Sequence, residues 1–226
     1  MLAIGRRARR LPRRSVTLVR KRTRGVLARL LAVLLVAGAA CAALADGVNP
    51  VFAGLALRDA LVRGGYVLYF RHARTDFGQN DDRMSGYEDC AQQRNLTDAG
   101  RSDARMVGDA VRSLRIPVAS VLASPFCRTR ETAELIFGHA TTDARVRGGP
   151  ARPDDPERYA ALRTLLSTPP PSGTNLAIVS HGNPFAALAG PPYLAEGEVA
   201  VVEPLGAKGF RVVGRIRADG WRDYLR

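Results

Sequence analysis

The sequence has little cysteine and lacks the residue spacings that bind structural metal ions. Only three of its 226 residues are cysteine. No Cys-x-x-Cys pair occurs, and no Cys and His residues have the spacing of a zinc finger. Internal repeats and heptad patterns are also absent, which argues against repeat and coiled-coil architectures. These absences favour a single globular domain without a structural zinc site.

Acidic residues are absent from the first 45 positions, which contain eleven basic residues. The net charge of the whole chain is +13, a value that by itself would suggest nucleic-acid binding. Residues 46–226, however, contain 23 basic and 21 acidic residues, so their net charge is only +2. The excess positive charge therefore belongs to the N-terminal segment, and no nucleic-acid partner is predicted.

The first 45 residues have the order of an export signal. An Arg-rich stretch, residues 6–29, precedes an apolar run from Leu30 to Ala45 that ends in the small-x-small sequence Ala43-Leu44-Ala45. The run has 16 residues, fewer than the roughly 20 needed to cross a bilayer. We expect residues 1–45 to be a signal peptide, with an uncleaved membrane anchor as the alternative. The predicted location is periplasmic or otherwise extracytoplasmic, with membrane contact only through this segment if it is retained.

Residues 46–226 are predicted to form one α/β domain. Short apolar strands alternate with amphipathic helices, a pattern typical of a three-layer α/β/α sandwich with a largely parallel central sheet. The predicted strands are 66–71, 118–123 and 176–180, with a late pair at 198–203 and 209–216. The predicted helices are 56–63, 98–114, 125–137, 156–166 and 183–188, and the polar segments 77–93 and 141–155 are predicted to be loops.

Histidines follow two of the predicted strands. His72 comes after the strand at 66–71, and His181 comes after the strand at 176–180. The carboxyl ends of parallel strands are where α/β proteins bind ligands. Arg71 and Arg128 lie at strand ends of the same kind, and guanidinium groups pair well with phosphate oxygens. Two histidines and two arginines at one sheet edge predict a site for a phosphoryl group.

Four motifs in order resemble the histidine phosphatase superfamily, in the branch that includes cofactor-dependent phosphoglycerate mutases and small bacterial phosphohistidine phosphatases. The resemblance covers about residues 62–220 and implies a phosphoglycerate mutase-like fold. The motifs are Arg71-His72-Ala73, Leu96-Thr97-Asp98-Ala99-Gly100, Ser124-Pro125 with Arg128 and Thr132-Ala133, and Ser180-His181-Gly182.

The resemblance also implies residue roles. His72 would be the nucleophile that forms a phosphohistidine, and His181 would donate a hydrogen bond to the phosphoryl group. Arg71 and Arg128 would bind the phosphoryl oxygens. Arg74 is a further candidate for this binding, although relatives often have Glu at its position. No metal and no cofactor are expected.

The proton donor for the leaving group is left open by the sequence. The second histidine is followed by Gly182 and Asn183, where some relatives have Asp. The remaining candidates are Asp76, Glu131, Asp154, Asp155 and Glu157. A substrate with a good leaving group would need no acid. His139 follows a predicted helix without a partner motif and is expected to lie outside the site.

These observations predict an exported phosphatase that hydrolyses a phosphomonoester through a phosphohistidine. Its substrate would be a phosphorylated small molecule or a phosphate ester of the cell envelope. The alternatives are a noncatalytic phosphate-binding or anion-binding envelope protein and, less favoured, a phosphomutase. In the resembling fold, the segments that carry Cys90 and Cys127 run close together, which implies a disulfide between these two residues.

Overall fold

The computed structural model describes residues 52–147 and 157–225, so the predicted signal peptide lies outside the described residues. The helices are α1 (Gly54–Arg63), α2 (Asp98–Ser113), α3 (Cys127–Phe137), α4 (Ala160–Ser167) and α5 (Gly182–Ala189). The strands are β1 (Val67–Arg71), β2 (Val118–Ala123), β3 (Thr141–Thr142), β4 (Asn175–Ser180), β5 (Val199–Pro204) and β6 (Phe210–Ile216). None of the helices in these two ranges is long and apolar enough to cross a membrane.

The six strands form one sheet in the order β3-β2-β4-β1-β5-β6. The strands β3, β2, β4 and β1 are mutually parallel. Strand β5 is antiparallel to both of its neighbours, β1 and the edge strand β6. The predicted α/β fold with a largely parallel sheet is therefore confirmed, as is the late strand pair. In the central pair, Arg71 of β1 lies opposite Ser180 of β4. This register places the residues that follow the two strands side by side.

Both faces of the sheet are covered by helices. Along β1, Leu68 and Phe70 pack into the core on one face, together with residues of α1, α2 and α3. Val67 and Tyr69 point to the opposite face and pack against α4 and α5. Because each face is buried, the strand is apolar without polar alternation, as the central strands of parallel sheets are. The result is the predicted three-layer arrangement.

Three local predictions differ from the structure. Helix α3 begins at Cys127 rather than at Pro125, because the backbone of Phe126 is extended (φ −63°, ψ 143°) and forms the N-cap. Helix α4 begins at Ala160, later than predicted, since Tyr159 leaves the helical region of backbone conformation (φ −112°, ψ 20°). The segment predicted to be a loop after residue 140 contains β3, a two-residue strand too short to show a period-two pattern.

Candidate active site

The two histidines share one cavity at the carboxyl edge of β1 and β4. Their ring centroids are 5.6 Å apart, and both side chains are buried. The cavity has a volume of about 330 Å³. Its lining residues in the described part of the chain are Arg71, His72, Asp81, Arg94, Phe126, Arg128, His181, Gly182, Asn183 and Tyr193.

His72 is held by its backbone and by its own ring. Its backbone N–H donates to the Ser180 carbonyl oxygen at 3.0 Å, and its Nδ1 lies 2.9 Å from the carbonyl oxygen of Ala73. Burial lowers the pKa of His72 to about 3, and the positive charges of Arg128 and Arg71 act in the same direction. The imidazole is therefore neutral, with the hydrogen on Nδ1 and the lone pair on Nε2.

His181 is fixed from two sides. Its Nε2 lies 2.9 Å from the hydroxyl oxygen of Ser124, and its carbonyl oxygen accepts a hydrogen bond from the Tyr69 hydroxyl at 2.8 Å. Burial lowers the pKa of His181 well below its ordinary value, and the nearby His72 and arginines add to this effect. Its contact with Ser124 leaves Nδ1 as the nitrogen that a ligand can use. Helix α5 begins at the next residue, Gly182, so the start of this helix also lines the cavity.

Three arginines supply positive charge to the cavity. Arg71 donates to the Leu194 carbonyl oxygen at 2.8 Å, and Arg128, only 5% exposed, lies over the Phe126 ring. The third is Arg94, which the sequence analysis did not select. The Nε atom of each of these three arginines is buried without a hydrogen-bond partner. Buried polar atoms are seldom left unpaired in proteins, so this cluster is suited to an anionic ligand.

Arg74, a predicted phosphate-binding residue, is not brought to this cavity. Its side chain is 54% exposed, and its Nε donates to Asp103 at 2.6 Å. With Asp103 it lines a separate depression. The expectation that Arg74 contacts the anion is therefore corrected.

Of the acid candidates named from the sequence, the three that the structure describes do not line the cavity. Glu131 is paired with Arg101 at 2.6 Å, and the exposed Asp76 accepts a hydrogen bond from the backbone of Gly78. Glu157 is exposed, and the candidates at positions 154 and 155 lie outside the described residues. In the described part of the chain, no group of three or more His, Cys, Asp or Glu residues could hold a metal ion.

Two carboxylates near the histidines were missed by the sequence analysis. Asp81 lines the cavity and pairs with Arg128 through both carboxylate oxygens, at 2.9 and 3.1 Å. Glu196 lies behind His72, with its Oε1 3.9 Å from Nδ1 and 2.7 Å from the Thr75 hydroxyl. Asp81 is one of several acidic residues in a polar loop, and no sequence signal separates it from the others. Arg94 had one usable signal, its position two residues before the Leu96-Thr97 motif.

The predicted disulfide between Cys90 and Cys127 is confirmed. The two Cα atoms are 5.7 Å apart, and the sulfur atoms are bonded. Cys127 is the first residue of α3 and precedes Arg128 directly. The disulfide therefore joins the end of the polar loop to the helix that carries a cavity arginine.

These elements define an α/β protein with a paired-histidine, arginine-rich anion cavity at the carboxyl edge of its sheet. Residues 67–149 match the model of the histidine phosphatase superfamily, branch 1. The match covers 83 of the 226 residues, so it shows a similarity to that superfamily over this part of the chain. Among curated proteins, none matches the chain significantly.

Several phosphatases are among the solved structures that align with this chain. The protein histidine phosphatase SixA, complexed with tungstate, aligns with a TM-score of 0.50 at 17% sequence identity, over 68% of this chain and 97% of that chain. A mycobacterial glucosyl-3-phosphoglycerate phosphatase aligns with a TM-score of 0.48 at 18% identity, over 66% and 95% of the two chains. A phosphoserine phosphatase mutant from Entamoeba histolytica aligns with a TM-score of 0.46 at 12% identity, over 66% and 95%. The SixA alignment shows a common fold.

Proposed function

We propose that this protein is a phosphatase that hydrolyses a phosphomonoester through a phosphohistidine on His72. The observation that carries the proposal is the neutral, buried His72 facing a cavity with three incompletely paired arginines. A neutral imidazole can attack phosphorus without a separate base, and the arginines compensate the charge of the phosphoryl oxygens. A phosphorylated substrate is typical of the histidine phosphatase superfamily, whose model residues 67–149 match.

The reaction would proceed in two displacements. In the first, Nε2 of His72 attacks phosphorus and the bond from phosphorus to the leaving oxygen breaks. Arg71, Arg94 and His181, which line the cavity, would stabilise the transferring group. In the second, water attacks the phosphohistidine and releases inorganic phosphate with the free histidine.

We also propose that the enzyme acts outside the cytoplasm, on a phosphorylated small molecule or an envelope phosphate ester. The N-terminal pattern of basic, apolar and small residues supports export. The Cys90–Cys127 disulfide also supports it, since disulfides persist in oxidising compartments. This location favours hydrolysis over a mutase reaction, which would need ready access to cytoplasmic sugar phosphates.

The test uses the purified chain with a ³²P-labelled aryl phosphate. Rapid quenching of the wild type in alkaline detergent should trap a phosphoenzyme that is stable to alkali and labile to acid, and His72→Ala should form none and lose turnover. His139→Ala, a change at an exposed histidine outside the cavity lining, is the matched control and should behave like the wild type. Circular dichroism would check that both variants fold.

The alternatives give different results in the same experiment. Phosphate binding by the wild type without turnover of any ester would indicate a noncatalytic anion-binding protein. Turnover that persists in His72→Ala would remove His72 as the nucleophile. Transfer of the label to an added sugar phosphate, in preference to water, would indicate a mutase.

A further inference from the structure

Asp81 occupies the paired donors of Arg128 inside the cavity. Its two carboxylate oxygens accept from the two terminal nitrogens of Arg128, at 2.9 and 3.1 Å, and Oδ1 also accepts from the backbone N–H of Arg94 at 2.9 Å. A carboxylate and a phosphoryl group present two oxygens to a guanidinium in the same way. A phosphoryl group can therefore take both donors of Arg128 only when Asp81 leaves them.

Among the residues that the structure describes, Asp81 is the one carboxylate in the cavity lining. Glu196 is close to His72, but it lies on the Nδ1 side, away from the nitrogen that attacks, and it is engaged by Thr75 and Arg71. The acid candidates considered from the sequence either point elsewhere or lie outside the described residues. Protonation of a poor leaving group needs an acid on the substrate side of the cavity. Asp81 is a carboxyl group in that position.

Displacement by the substrate would also change the surroundings of Asp81. In the free protein its carboxylate faces the guanidinium of Arg128. A phosphoryl dianion that takes over this pairing leaves the carboxyl group beside a negative charge and next to the oxygen that must leave. Like charge in general favours the protonated form of a carboxyl group.

We propose that Asp81 is the proton donor to the leaving group and is released from Arg128 by the incoming phosphoryl group. This inference rests on the proposed phosphatase function. Once released from Arg128, the Asp81 carboxylate takes up a proton from solvent. As Nε2 of His72 bonds to phosphorus and the ester bond breaks, the leaving oxygen takes this proton. The Asp81 carboxylate then accepts a proton from the water that attacks the phosphohistidine. Inorganic phosphate and free His72 result, and Asp81 returns its proton to solvent when it pairs with Arg128 again, so protons and electrons balance.

The test compares kcat/KM for two substrates in Asp81→Asn. 2,4-Dinitrophenyl phosphate has a good leaving group that needs no proton, whereas β-glycerol phosphate has an alkoxide leaving group that does. General acid catalysis contributes about 10²- to 10⁴-fold, so kcat/KM for β-glycerol phosphate should fall by about that factor. The value for the dinitrophenyl ester should change by less than about tenfold, and inhibition by inorganic phosphate should stay equal or strengthen.

Asp82→Asn is the matched control, because it makes the same change at the next residue, whose side chain is exposed and outside the cavity lining. It should leave both substrates unaffected. An equal loss of kcat/KM for both substrates in Asp81→Asn would show that Asp81 only positions Arg128. Unchanged kcat/KM for both substrates would show that Asp81 donates no proton. Either result overturns this inference and leaves the proposed function standing. If the wild type hydrolyses neither ester, the proposed function fails, and the role of Asp81 fails with it.

Discussion

At the scale of single residues, the environment of His72 sets its protonation state. The Ala73 carbonyl oxygen only accepts hydrogen bonds, so it holds the ring hydrogen on Nδ1. Burial and the neighbouring positive charges oppose a second proton and lower the pKa to about 3. The positive charges of Arg71 and Arg128 therefore act together with burial to keep Nε2 of His72 unprotonated.

The titration of His72 should show this effect directly. In the folded protein the Cε1–H resonance of His72 should not move between pH 5 and pH 8, because the pKa is lowered from 6.5 to about 3. The chain contains three histidines, so loss of one signal in His72→Gln assigns the resonance. A midpoint near 6.5 in the folded protein would contradict the prediction.

The same shift links stability to pH. Between pH 6.5 and about 3, the unfolded chain binds a proton at this histidine and the folded chain does not. The contribution of His72 to stability is therefore complete above pH 6.5 and is lost as the pH falls through this window. Urea unfolding of the wild type and of His72→Gln at pH 7.5 and pH 5 would measure the difference, which should shrink at the lower pH.

At the scale of elements, the segment after β1 is held by two helices through short polar contacts. Thr132 of α3 accepts from the backbone N–H of Ala73 at 3.1 Å and donates to the Arg128 carbonyl oxygen at 2.6 Å. At α2, the Thr97 backbone donates to the Arg74 carbonyl oxygen at 3.0 Å, while the Thr97 hydroxyl caps the helix at Gly100. The threonines of the family motifs thus set where the residues around His72 lie.

Gly100 should tolerate no side chain. A Cβ atom at this position would lie 2.1 Å from the carbonyl oxygen of Arg74, which is backbone and cannot rotate away. Alanine is favoured over glycine in helices by about 1 kcal/mol, but overpacking costs about 1–3 kcal/mol even where side chains can adjust. We expect Gly100→Ala to lower the free energy of unfolding by at least about 1 kcal/mol in urea titrations.

Gly86→Ala is the control for this experiment, because a Cβ atom there meets nothing within 4 Å. Its free energy of unfolding should remain within about 0.5 kcal/mol of the wild type. Equal stability of the two variants would contradict the close approach of α2 to the segment after β1.

At the scale of the whole molecule, one covalent bond connects the polar loop to the sheet-edge site. The disulfide spans 37 positions from Cys90 to Cys127. Beside it, the Gln93 side chain accepts from the Cys127 backbone N–H at 3.0 Å. These contacts anchor the loop that carries Asp81 next to the helix that carries Arg128. The geometry of the cavity therefore depends on a long-range connection.

Removing this connection should destabilise the fold. The chain-entropy model gives about 4 kcal/mol for a loop of this length, so the double variant Cys90→Ser/Cys127→Ser should lose about that much free energy of unfolding. Wild type treated with a reductant should approach the stability of the double variant, and the double variant should not respond to reductant. A wild type that is insensitive to reductant and equal in stability to the variant would contradict the prediction.

Five of the six strands in the described part of the chain could be predicted from sequence because their signals are local. Three apolar runs end on Arg71-His72, Ser124 and His181, and the hydrophobic pattern of a buried strand does not depend on distant residues. Parallel strands then bring their carboxyl ends to one edge, so the association of the two histidines followed from the fold class. The late hairpin had the same kind of local pattern and was also predicted. Helix starts were less accurate, because α3 and α4 begin where backbone conformation at a single residue changes.

The loop residues of the site were decided only by tertiary structure. Arg74 and Arg94 both lie near motif residues, yet the former is exposed beside Asp103 and the latter lines the cavity. Asp81 likewise has the same local setting as its neighbours in the polar loop. The path of a loop depends on contacts with distant segments, here the Cys90–Cys127 disulfide and the buried Arg128, and these have no periodic signature. The sequence by itself therefore determined the sheet edge and its two histidines, whereas long-range contacts decided which charged residues surround them.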